Sequence, residues 1–159
     1  MRRNFLINSF YKTLTRITRT TQWLVGASTV GVRTLVVNEQ NQVLLLKHTY
    51  MPGWHFPGGG VFSGEPARIA AIRELCEEAG VIALGDMELF GVYFHKVMWV
   101  NDYIILYIVK NFSQATVSLG GEISAVRWFS LENLPEDLSE CTHQRISEYF
   151  FNQPKQDQW

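Results

Sequence analysis

Three features of this 159-residue sequence predict an α/β fold of the α+β kind, in which a mixed β-sheet is flanked by helices. Segments rich in β-branched and aromatic residues recur from residue 28 to residue 129. One glycine-led helical pattern interrupts them, and a second amphipathic pattern follows the last.

The chain reads as an arm, a body and a tail. In the arm, residues 1–27, Ile7, Phe10, Leu14 and Ile17 recur at helical spacing, which predicts an amphipathic helix over residues 4–20. Arg2, Arg3, Lys12, Arg16 and Arg19 stand there without a single acid. Three placements are open: packing on the body or on a second copy, lying on an anionic membrane surface, or serving as a targeting presequence. A homodimer contact or peripheral membrane contact through the arm is therefore one expectation.

The body spans residues 28–151. "STVGVRTLVV" alternates, "NEQNQ" reads as a turn, and "VLLLKH" is a second strand, so the three together predict a β-hairpin. After "TYMPGWHFPGGG" a helix is expected from Pro66, favoured in a first turn, to Gly80, favoured as a stop. "MELFGVYFHKVMWV", "DYIILYIVK" and "ISAVRWF" predict three more strands, and "LENLP" a helical turn ended by proline. Leu138, Thr142, Ile146 and Phe150 at four-residue steps predict a last helix over 136–151. The polar tail, residues 152–159, is expected to be loose.

Composition narrows the function. No run of eighteen apolar residues occurs, and Cys76 and Cys141 suit neither a disulfide framework nor a metal spacing, so a cytoplasmic setting is expected. Outside the arm, nine bases face 15 acids, a net charge of −6. That acidity argues against a nucleic-acid surface, which calls for a basic stripe.

The segment "GGGVFSGEPARIAAIRELCEEAGV", residues 58–81, carries the chemistry. At ~100° per residue, Glu74, Glu77 and Glu78 share one side of the helix, opposite Ile69, Ile72, Leu75, Cys76 and Ala79. Three carboxylates on one side repel one another. A divalent cation would relieve this, since Mg²⁺ is held by a few carboxylates with waters and substrate phosphates. Gly58, Gly59 and Gly60 would let the backbone approach a metal or phosphate.

From Gly59 the spacing is Gly, five residues, Glu65, seven residues, then Arg73-Glu74-Leu75-Cys76-Glu77-Glu78-Ala79-Gly80-Val81. This resembles the complete signature of the Nudix hydrolases, and the likeness extends over residues 28–150. The resemblance implies a Nudix-like α/β/α sandwich and an Mg²⁺- or Mn²⁺-dependent hydrolase that cleaves the diphosphate linkage of a nucleoside diphosphate derivative. It implies Glu74, Glu77, Glu78 and the Gly58 carbonyl as metal ligands, with Glu65 and Arg73 as a supporting ion pair. Among relatives, residues at the positions of Glu122 and Lys47 serve as an extra ligand or base and as a phosphate contact. Arg33, within an apolar strand, is a further candidate to face the cleft. Gly59 and Gly60 are candidates to bind substrate through their backbone, and His48, Tyr50, Trp54, Tyr93, His95 and Trp99 to stack on a base. "FHKVM" lacks the proline and tyrosine that mark ADP-ribose and dinucleoside-polyphosphate relatives, which leaves nucleoside triphosphates and nucleotide sugars open. The alternative is a nucleotide-sensing module without turnover; such relatives lose signature glutamates, and none is lost here.

Overall fold

The computed structural model describes residues 28–97, 99–115 and 121–159. The arm and its expected helix lie outside the described residues. Strand β1 (Thr29–Val36) runs parallel to β6 (Val100–Val109), and β6 pairs antiparallel with β5 (Glu88–Val97), giving a mixed sheet in the order β1-β6-β5. A second sheet places β2 (Val43–His48) between β3 (Trp54–His55) and β8 (Ile123–Phe129), all antiparallel. A small pair joins β4 (Val81–Ala83) to β7 (Phe112–Gln114).

Two helices cover opposite sides. Helix α1 (Ala67–Ala79) packs Ala70, Ala71, Leu75 and Ala79 on Val32 and Val36 of β1 and Leu44 of β2. Helix α2 (Glu140–Phe150) packs Ile146 with Leu35, Leu45 and Leu106 on the other side. Strands β1 and β2 therefore feed both clusters. Truncating a fully buried side chain such as Leu75 to alanine would cost roughly 2–5 kcal/mol.

The expected β1–β2 hairpin does not form. Asn38 caps the turn by accepting from the amides of Gln40 and Gln42, and one bridge, Val37 to Val43, follows. Beyond it the strands part, because the glycine loop takes the edge of β1 that a hairpin partner would need. Val32 and Thr34 donate to the carbonyls of Gly59 and Pro57, and Val61 donates to Val30 (all 2.9 Å). That exchange sets the loop on the sheet and so positions the site.

Two more expectations change. Helix α2 begins at Glu140 rather than 136, because the preceding residues run alongside β3: Trp54 donates to Asp137 and Ser139 to Trp54. Ser139 then caps the helix by accepting from Thr142. The tail is docked rather than loose. Phe94 of β5 donates to Asp157, Trp159 donates back to Phe94, and the Trp159 ring packs edge-on to Tyr93 at 5.6 Å. Arg145, fully buried, reaches the Gln158 carbonyl with Nη1 (2.8 Å) and Glu148 with Nη2 (2.7 Å). A polar tail orders here because it satisfies the open edge of β5 and a buried ion pair at once. Among the described residues no helix is long and apolar enough to cross a membrane.

Candidate active site

The signature helix starts after Pro66, whose extended conformation turns the chain in, and ends at Gly80, whose amide donates to Leu75 and Cys76 carbonyls. Its burial differs from the sequence expectation. Ile69 and Cys76 are exposed, while Glu74 and Glu78 fall within the arc of the buried residues Ala70, Ala71, Leu75 and Ala79. Small alanines let the helix sit close to β1, and the two carboxylates press against the glycine loop instead of pointing to water.

This contact explains two of the glycines. A Cβ on Gly59 would lie 2.4 Å from Oε1 of Glu74, and one on Gly58 would lie 2.1 Å from the Val32 carbonyl oxygen, at a backbone φ of 145°. A side chain at Gly58 would push the loop off the strand, and one at Gly59 would displace the Glu74 carboxylate from its place against the loop. The Gly58 amide donates to Oε2 of Glu78 at 2.7 Å. The carbonyls of Pro57, Gly59 and Gly60 are taken by Thr34, Val32 and Arg73, whereas that of Gly58 accepts no hydrogen bond among the described residues. The amides of Gly59 and Gly60 likewise donate to none of these residues.

Arg73 is the hub of the charge network. Its Nε and Nη2 grip Glu65 in a fork of two 2.9 Å bonds, Nη1 donates to Glu74 at 2.6 Å, and Nη2 holds the Gly60 carbonyl at 3.0 Å. Glu77, 62% exposed, lies 3.6 Å from the same guanidinium. Phe62 lies across the guanidinium plane at 4.1 Å and donates its amide to Glu65. The Arg73 bonds, then the Phe62 amide, hold the Glu65 carboxyl below the usual carboxylate range. Much of the repulsion inferred from sequence is thus relieved by one arginine.

Glu78 is the exception. Burial pushes its carboxyl up to about 7, with Glu74 and Glu122 adding to the rise and the Gly58 amide and Arg33 opposing it. The same groups surround Tyr50: burial, then Glu122 and Glu78, raise its hydroxyl to about 12, and Arg33 works against them. The fold therefore gathers Glu74, Glu78, Glu122, Arg33 and Tyr50 around the glycine loop, with Glu77 at the rim. Glu122 arrives from the start of β8, where its carbonyl accepts from Thr49 at 2.8 Å. Arg33 anchors Nη1 on the Val32 carbonyl at 2.8 Å. His48 packs 5.0 Å from Tyr50, and its Nδ1 is buried without a partner among the described residues. Burial and then its neighbours His55 and Arg33 lower it to about 4, so it is neutral near pH 7.

Other candidates are placed elsewhere. Lys47 pairs with Asp137 and lies 5.9 Å over Trp54. Trp54 and Tyr93 belong to the core, and Trp99 is 73% exposed. His95 lies 3.7 Å from Asp102 on β6. The position of Tyr50 among the carboxylates had no local signal in the sequence, since it arises from a β2 loop meeting β8 and α1.

The donor set fits a hard divalent cation. It offers carboxylate oxygens at Glu74, Glu77 and Glu78, the last half-buried and without a full counter-charge when ionised, and the unengaged Gly58 carbonyl. Among the described residues no three acidic, histidine or cysteine side chains already converge on one point, because Arg73 and the Gly58 amide engage them. Mg²⁺ does not require such a cage, since water and phosphate complete its shell.

A family model described as the NUDIX domain matches residues 27–150, and the chain belongs to that family of hydrolases acting on phosphoanhydride bonds. A Bacillus subtilis (strain 168) protein provisionally named an 8-oxo-dGTP diphosphatase is 35% identical over 107 residues, covering 67% of this chain and 70% of its own. An m7GpppN-mRNA hydrolase of Caenorhabditis elegans is 34% identical over 119 residues, covering 67% of this chain but 14% of its own. The chain spans 59% of an RNA pyrophosphohydrolase of Hydrogenovibrio crunogenus, at 29% identity and 68% coverage of this chain. Among solved structures, a MutT Nudix hydrolase from Burkholderia pseudomallei superposes with a TM-score of 0.68 at 28% identity, covering 77% of this chain and 98% of that one. The likeness bears out the fold class read from the signature.

Proposed function

We propose that the protein hydrolyses the diphosphate linkage of nucleoside triphosphates, oxidised purine nucleotides among them, with Mg²⁺ or Mn²⁺ as cofactor. The observation that carries this reading is the half-buried Glu78 carboxyl, seated beneath the Gly58 amide and facing Glu74 and Glu122. A structural surface cluster would not bury an acid at that cost. The provisional name of the Bacillus subtilis relative supports the substrate class.

Glu74, Glu77, Glu78 and the Gly58 carbonyl would hold the ion. When bound, it neutralises phosphate oxygens and orients water. The chain's own groups do the rest. Arg33 supplies positive charge toward the phosphates, and the amides of Gly59 and Gly60 are available to phosphate oxygens. Arg73 fixes the loop to the helix so that these donors stay in register, as electrostatic preorganisation requires. Glu122 supplies a carboxylate from outside the helix, positioned to orient or deprotonate water. Tyr50, with its hydroxyl kept protonated, can donate a hydrogen bond. The acidic body favours a small nucleotide over a long polyanion, which would need a basic track.

A panel of nucleoside triphosphates, 8-oxo-dGTP and nucleotide sugars, assayed with Mg²⁺ and Mn²⁺ for phosphate or pyrophosphate release, tests the reading. Turnover of triphosphates at least ten times faster than of nucleotide sugars is expected. Preference for nucleotide sugars, or turnover that persists in excess chelator, would refute it.

A further inference from the structure

We propose that the N-terminal arm of this same chain docks on an apolar face of the β1-β6-β5 sheet that helix α1 leaves uncovered. The face follows from register. Val30, Tyr103 and Phe94 lie side by side across the three strands, then Val32, Ile105 and Val92, then Thr34, Tyr107 and Leu89. Helix α1 covers Val32 and the Pro57 carbonyl takes Thr34, so both are fully buried, whereas Val30 in the first row is 39% exposed. Across the sheet the cover stops: Tyr103 is 42% exposed, Val92 54% and Leu89 57%. The edge of β5 is already closed by the tail. What is left open is one face, and clustered exposed apolar side chains of this kind mark a contact.

The occupant is argued from length, position and charge. From Tyr103 to Tyr107 the open face runs about 13 Å at roughly 3.3 Å per residue. The apolar stripe of the predicted arm helix, Ile7 to Ile17, runs about 15 Å at roughly 1.5 Å per residue. The arm leads directly into Thr29, next to Val30 in the first row of the face. Residues 18–28, eleven in all, can reach up to ~35 Å, enough for the helix to fold back. Five bases without an acid in the arm meet a remainder of net charge −6. A second copy would offer the same charge but not the eleven-residue tether, which holds the arm at high effective concentration beside its own sheet. An anionic membrane would be repelled by the acidic body.

The full-length chain tests this. Leu14→Cys with Val92→Cys, in a Cys76→Ser, Cys141→Ser background, should oxidise to a disulfide within one chain, independent of protein concentration. In the wild type, amides of residues 7–17 should exchange hydrogen at least ~10-fold more slowly than in Val92→Asp. Val92 is exposed, so this variant should keep a cooperative melt. Crosslinks between chains that rise with concentration would overturn the proposal in favour of a second copy. Arm protection that appears only with anionic phospholipid vesicles would overturn it in favour of a membrane surface. An arm that exchanges freely in the wild type would overturn it outright.

Discussion

Replacing Glu78 by glutamine separates a metal-binding carboxylate from a structural one, and the size of the effect follows from the site. The folded-state pKa of Glu78 lies at about 7 against 4.5 for the free group. For an acid shifted upward, the folded state resists ionisation. Below pH 4.5 both states are protonated and nothing is lost. As pH rises from about 4.5 to about 7 the unfolded chain ionises first, and stability falls; above 7 the full penalty persists. At about 1.4 kcal/mol per unit, the shift corresponds to about 3 kcal/mol. A glutamine in place of Glu78 would keep the shape, and its side-chain carbonyl can still accept from the Gly58 amide. Metal-free Glu78→Gln should therefore match the wild type near pH 4.5 and exceed it by up to about 3 kcal/mol at pH 8. For a domain of this size that is roughly 6–12 °C in Tm.

Metal should reverse the order. An ion that binds only the folded state stabilises it by mass action, and the wild type should gain more Tm from Mg²⁺ or Mn²⁺ than the variant. Turnover should fall by at least the ~10–100-fold typical of losses one shell further out. Thermal melts in chelator and in metal across pH 4.5–8, with initial rates, measure all of this. If Glu78→Gln is less stable than the wild type at pH 8 without metal and retains turnover, the cluster is a structural ion-pair network and the argument fails.

Glu65→Gln should lower both Tm and turnover, since it opens the fork from Arg73. Because the Glu65 pKa is lowered, the Tm difference should be full above the ordinary carboxylate range and vanish as pH falls through the lowered value. A difference that persists in strong acid would mean that shape, not charge, is lost. Glu122→Gln should slow turnover with Tm nearly unchanged; equal kcat at saturating metal would remove Glu122 from the chemistry. Deleting residues 1–24 should leave a folded, active body with altered oligomeric state or solubility, and a non-cooperative melt would instead make the arm part of the core. Trp159→Ala should cost about 2 kcal/mol or more, because the ring packs on Tyr93 beside the buried Arg145–Glu148 pair; an unchanged denaturation midpoint would show that the tail is not held.

Elements whose causes are local were legible in the residues alone. Pro66 and Gly80 bound the helix, the periodicity of β5, β6 and β8 placed the long strands, and the spacing of Glu65, Arg73, Glu74, Glu77 and Glu78 defined the family and its chemistry. Whatever depended on competition between distant segments was decided by the tertiary structure. The wheel put Glu74 and Glu78 opposite the side expected to be buried, yet the glycine loop lies against them and half buries both. The turn at Asn38 favoured a hairpin, but the Pro57–Val61 loop occupies the edge of β1 instead. Tyr50, Arg33 and Glu122 meet only because β1, the β2 loop and β8 close on one point, and the polar tail orders only because β5 leaves its amides to be paired. Periodicity reports which residues share a side of one element. Which partner covers that side is settled by backbone groups and charges that cannot be buried unpaired, and those partners lie far away in the chain.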